Sequence, residues 1–90
     1  MAIRLVLRPG YLVTVLDISA GGALIQGTRP LRPGGAVQIR LASPTRGISL
    51  TGLIVRCAVW ALDADAGVVY RGALQFDQRC DWFEEPARTA

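Results

Sequence analysis

Apolar and polar residues alternate with a period of two in several short runs, and residues that favour turns separate the runs. In Ala36–Ala42, Val37, Ile39 and Leu41 fall on one side of an extended chain, and Gln38 and Arg40 on the other. Residues 68–76 repeat the pattern, with Val68, Tyr70, Leu74 and Phe76 against Arg71 and Gln75. Residues 3–8 set Ile3, Leu5 and Leu7 against Arg4, Val6 and Arg8. Tyr11–Ile18 and residues 48–62 are rich in β-branched side chains and apolar on both faces. This predicts strands that are covered on both sides or lie at an interface.

The punctuation between runs is that of hairpins. Pro9-Gly10 and Pro33-Gly34 each place a fixed φ before a residue free to take positive φ, the type II pattern. The tetrapeptide Leu-Arg-Pro-Gly occurs at 7–10 and again at 31–34, which predicts one turn solution used twice. Residues 3–8 are then the antiparallel partner of Tyr11–Ile18 across Pro9-Gly10. Residues 43–47 and 63–67 are the other loops. With 23–26 as a short strand the count is six, which predicts an all-β small barrel or sandwich. Only the C-terminal residues suit a helical turn. Asp81 is its cap, Trp82 and Phe83 its body, Glu84 stands at the capping-box position, and Pro86 limits it. One turn with two aromatics suits a plug against the barrel.

A length of 90 residues makes one domain, expected as a barrel over 3–76 and a tail over 77–90. At 51% hydrophobic the chain has too much core material to be disordered. No apolar run approaches the roughly 20 residues of a membrane span. The N-terminal residues lack the apolar block of a signal peptide, so a cytoplasmic location is expected. The formal charge is +3, all its basic residues being arginine. Guanidinium forks suit phosphates and guanine edges, but a composition rich in Arg, Ala, Gly and Pro produces the same set. No basic run marks a duplex-binding footprint, so DNA is not an expected partner.

Catalysis has little to work with. There is no His to act as general base, and Ser19, Ser43 and Ser49 have no neighbouring Lys. Cys57 and Cys80 have neither Cys-x-x-Cys spacing nor a His to complete a zinc site, and are expected as buried free thiols. Asp63-Ala64-Asp65-Ala66-Gly67 has the first acids of a calcium loop without the distal Glu, and a polar hairpin turn is the expectation. No metal and no resident cofactor are implied.

One segment stands apart. In Val15-Leu16-Asp17-Ile18-Ser19-Ala20-Gly21-Gly22-Ala23-Leu24-Ile25, a strand delivers a carboxylate and a hydroxyl two residues apart, ahead of a Gly-Gly pair that permits a tight turn. An ionised Asp accepts both donors of the guanine N1–H and N2–H2 edge, and the hydroxyl adds an adaptable partner. The same residues also make a turn in which Asp17 and Ser19 satisfy their own backbone. Residue types alone leave both readings open.

Asp17-x-Ser19-x-x-Gly22 resembles the D/N-x-S-x-x-G motif of PilZ domains, the receptor modules of bacterial cyclic di-GMP signalling. The resemblance continues in order through Gly21-Gly22-Ala23-Leu24-Ile25, Leu31-Arg32-Pro33-Gly34, Gly52-x-x-Val55-Arg56 and Tyr70-x-Gly72-Ala73-x-x-Phe76, covering about 3–83. It implies a six-stranded antiparallel β-barrel with a C-terminal helix, here trimmed to at most a short turn. It also implies a non-catalytic regulatory module that binds cyclic di-GMP through Asp17, Ser19 and Gly22. The family's second motif is an R-x-x-x-R segment ahead of the first barrel strand, matched by letter at Arg4-Leu5-Val6-Leu7-Arg8.

The position of that match departs from the family. Only 9–16 separate Arg8 from Asp17, room for one turn and one strand, so residues 3–8 are themselves the partner strand. As strand residues, Arg4 and Arg8 lie about 13 Å apart and do not converge on one phosphate. Arg29, Arg32 or a dimer mate's arginines are candidates to replace the segment. Three functions follow: a weak cyclic di-GMP receptor, a PilZ-like adapter that binds protein and no nucleotide, and, ranked last for want of a row of stacking aromatics, a single-stranded nucleic-acid-binding barrel. The long two-faced strand before Trp60 predicts self-association or docking on another protein.

Overall fold

A computed structural model describes residues 3–83. Six strands are formed: β1 (Arg4–Leu7), β2 (Tyr11–Ile18), β3 (Gly22–Gly27), β4 (Ala36–Ala42), β5 (Gly47–Asp63) and β6 (Gly67–Phe76). A single 3-10 turn, Asp81–Phe83, follows them. The strands close into a barrel in the order β1-β2-β3-β6-β5-β4, with every neighbouring pair antiparallel. β1 completes the closure, because Leu5 stands opposite Val13 of β2 on one side and Leu41 of β4 on the other. Closure leaves the barrel wall without free edges.

The alternation in sequence becomes an inside and an outside. Leu5, Leu7, Val13, Ile25, Ile39, Leu41, Leu50, Ile54, Leu74 and Phe76 are buried together, while Arg4, Gln38, Arg40 and Gln75 face out. Burying such a side chain contributes about 1.5–3 kcal/mol, so this one cluster holds the fold. Cys80 joins it, fully buried, and Trp82 packs against it from the 3-10 turn, with the Arg46 guanidinium 4.7 Å from the Trp82 ring centre. Glu84 and Pro86, expected to shape that turn, lie outside the described residues.

The hairpin of residues 3–8 with β2 forms as expected, Leu5 to Leu7 pairing with Val13 to Tyr11. The repeated Leu-Arg-Pro-Gly does not give one turn twice. Gly34 takes φ 83° and the Gly35 N–H donates to the Arg32 carbonyl at 3.0 Å, a type II turn. At the other copy the Arg8–Pro9 bond is cis and Gly10 has no positive φ, so the type II expectation fails there.

The two-faced strands are not covered on both sides within this chain. Leu12, Leu16, Leu53 and Val55 are exposed on the outer face, as are Val59, Trp60 and Leu62. β4 pairs with β5 only as far as Leu53, and β3 with β6 only as far as Tyr70. Beyond them 59–63 and 67–69 continue as a two-stranded ribbon that projects from the barrel, and the described residues extend 47 × 29 × 26 Å. No helix among the described residues is long and apolar enough to cross a membrane.

Candidate ligand-binding site

Asp17 faces outward because β2 carries one extra residue. Val15 stands opposite Ile25, but the next paired residue, Asp17, stands opposite Leu24. Without this bulge Asp17 would share the inward face of Val15; with it, Asp17 lies beside the exposed Leu24 and Ile18 turns inward opposite buried Ala23. The chain then turns tightly. The Ser19 N–H donates to the Gly22 carbonyl at 2.9 Å, and the Ser19 hydroxyl approaches the same oxygen at 3.4 Å. Asp17 Oδ1 accepts the Ile18 N–H at 2.9 Å, and Oδ2 has no partner among the described residues. Both side chains are exposed.

The turn is fastened to the C-terminal segment. The Phe76 N–H donates to the Gly21 carbonyl and the Cys80 N–H to the Ala20 carbonyl, each at 2.8 Å. Gly22 is required for a reason the sequence does not disclose. It does not adopt positive φ; instead a Cβ there would collide with the backbone carbonyl oxygen of Leu74 in β6. Asp17, Ser19, Gly22, Leu24 and Ala73 border one shallow hollow of about 150 Å³. That is below the roughly 300–1,000 Å³ of clefts that enclose drug-sized ligands, so it suits the edge of a ligand lying on the surface.

Arg4 and Arg8 are not part of it. Both are exposed; Arg4 stands opposite Ala42 in β4, and the Arg8 N–H donates to the Gln38 carbonyl at 2.9 Å. Arg8 borders a separate hollow with Gln38, Ser49 and Thr51. It follows Leu7, the partner of Tyr11, so the length of β2 separates it from Asp17, about 20 Å at strand rise. Arg29 is also at that far end. Its N–H donates to the Tyr11 hydroxyl at 2.9 Å and its guanidinium lies 4.8 Å from the Tyr11 ring centre. Arg32 sits in the same β3–β4 connection, opening the type II turn.

The remaining candidates resolve simply. Asp63 Oδ1 accepts the N–H groups of Ala66 and Asp65 at 2.8 Å each, which holds its carboxyl below the usual aspartate range and makes a hairpin turn. Among the described residues no cluster of three metal-ligating side chains occurs. Both cysteines are free. Cys80 is buried as expected, but Cys57 is only half-buried, its sulfur accepting the Leu31 N–H at 3.3 Å.

Sequence reasoning missed Leu24 and Ala73 as neighbours of Asp17. Alternation places Ala73 on the outer face of β6, yet only the sheet order sets β6 beside β3. Neither the curated proteins nor the solved structures contain a significant match to the chain. A model of the PilZ domain does match, over residues 3–78. This span holds all six strands and the Asp17–Gly22 turn, and the chain belongs to the PilZ domain family.

Proposed function

We propose that this chain is a regulatory, non-catalytic module that binds cyclic di-GMP weakly, through Asp17, Ser19 and Gly22. The observation that carries the reading is their convergence on one outward hollow, with Asp17 brought to that face by the β2 bulge. Its carboxylate accepts the two donors of a guanine edge, and the Ser19 hydroxyl turns to either a donor or an acceptor. The family is a regulatory one, generally without catalysis, which agrees with the absence of His.

Affinity is limited by the distance of Arg8. A lost charge-assisted hydrogen bond costs about 1.5–3 kcal/mol, and two such losses weaken binding by several orders of magnitude. The dissociation constant is expected in the tens of micromolar or above, rising with salt. Isothermal titration with cyclic di-GMP tests this. Asp17→Ala should abolish the heat, while Arg4→Ala and Arg8→Ala should leave it nearly unchanged. Submicromolar binding that collapses on Arg8→Ala would refute the reading of the arginines.

A second reading has its own observation. Val59, Trp60 and Leu62 are 59%, 61% and 81% exposed on a ribbon that no third strand covers. An apolar projection of this kind favours a protein adapter, whether the contact is a second copy or another protein.

A further inference from the structure

A row of outward positions runs from the motif across the sheet. Asp17 is opposite Leu24, Leu24 opposite Ala73, and Ala73 opposite Arg56. Two residues along, Gln26 is opposite Arg71 and Arg71 opposite Ala58. Both rows lie outside the barrel, since Ile25 and Gly72 between them are buried. Around the closed wall Arg71 stands two strands from Asp17 and Arg56 three, and Leu16, the neighbour of Asp17, borders the same hollow as both arginines.

Arg71 is held in place. Its Nε donates to Gln26 Oε1 at 3.0 Å, and its guanidinium carbon lies 3.8 Å from the Trp60 ring centre. Arg56 is exposed on the adjacent strand, and neither arginine has an ion-pair partner among the described residues. Leu16, Leu24, Arg56, Trp60, Arg71 and Gly72 border a hollow of about 280 Å³. Leu24 also borders the hollow at Asp17, so the two hollows adjoin at that side chain. A carboxylate at one end, two guanidiniums without an acidic partner beyond it, leucines between and an exposed indole form a chemically graded site. It matches a ligand with a guanine edge, phosphodiester charges and a second planar ring.

We propose that Arg56 and Arg71 are the phosphate-binding cations of this chain, and that Trp60 stacks a guanine of the same ligand. The assignment rests on the cyclic di-GMP reading above. It gives the role of the family's arginine segment, which Arg4 and Arg8 match only by letter, to residues on β5 and β6. The cations stand on the barrel wall rather than on a segment that folds over the ligand, consistent with modest affinity.

The test is titration of the full chain with cyclic di-GMP, by calorimetry and by following the two indole N–H resonances, Trp60 being assigned with Trp60→Phe. Arg56→Ala and Arg71→Gln should each raise the dissociation constant roughly 10- to 100-fold without altering the circular dichroism. The Trp60 resonance should shift more than that of Trp82. Arg71→Lys, which keeps the charge and loses the fork, should fall between wild type and Arg71→Gln. Wild-type binding that is lost in Asp17→Ala but unchanged in Arg56→Ala and Arg71→Gln, with Trp60 unmoved, would overturn this assignment and leave the motif reading standing. No wild-type binding at millimolar ligand would overturn both.

Discussion

Gly22 and Asp17 belong to one motif but answer to different forces. The neighbouring strand presses the Leu74 carbonyl where a Gly22 side chain would stand, and a backbone group in a closed barrel cannot move aside cheaply. Gly22→Ala is therefore expected to cost about 1–3 kcal/mol without any ligand, measured by urea unfolding. Asp17→Ala removes an exposed side chain whose one hydrogen bond is to its neighbour's N–H, and stability should change by only about 0.5 kcal/mol. Unchanged stability for Gly22→Ala would mean that β6 yields at that contact. Asp17 and Ser19 were legible in the sequence because their chemistry is local. The structural duty of Gly22 was not, since it depends on a strand more than fifty residues away.

At the scale of elements, the period-two runs were sufficient to find six strands and the first hairpin. What they could not reveal is where the period slips. The β2 bulge decides whether Asp17 faces core or solvent, and alternation read across it gives the wrong face. The two Leu-Arg-Pro-Gly copies teach the same lesson, because four residues do not determine a turn whose flanking strands differ. Gly34 has a left-handed φ that costs a side-chain-bearing residue about 1–2 kcal/mol, whereas Gly10 has neither positive φ nor any atom near its absent Cβ. Gly34→Ala should destabilise by that amount and Gly10→Ala by only about 0.5 kcal/mol, compared by chemical denaturation. Equal losses would indicate a shared conformation after all.

Taken together, the described residues form a closed barrel bearing one projection. Two-stranded ribbons are marginal in water on their own, and this one displays Val59, Trp60 and Leu62. Sedimentation velocity should reveal concentration-dependent self-association, which Leu62→Asp should abolish without unfolding the barrel. A wild-type monomer at high concentration would remove self-association and leave only a different protein as the occupant of the ribbon. Trp60 belongs both to this projection and to the hollow beside Arg71. Its indole therefore cannot serve a protein contact and a nucleotide independently. Linkage requires reciprocity: whatever factor an engaged ribbon imposes on nucleotide affinity, the nucleotide imposes on ribbon engagement. One side chain shared by two surfaces would make such a module a signal converter without any moving part, changing which surface is available rather than the shape of the barrel.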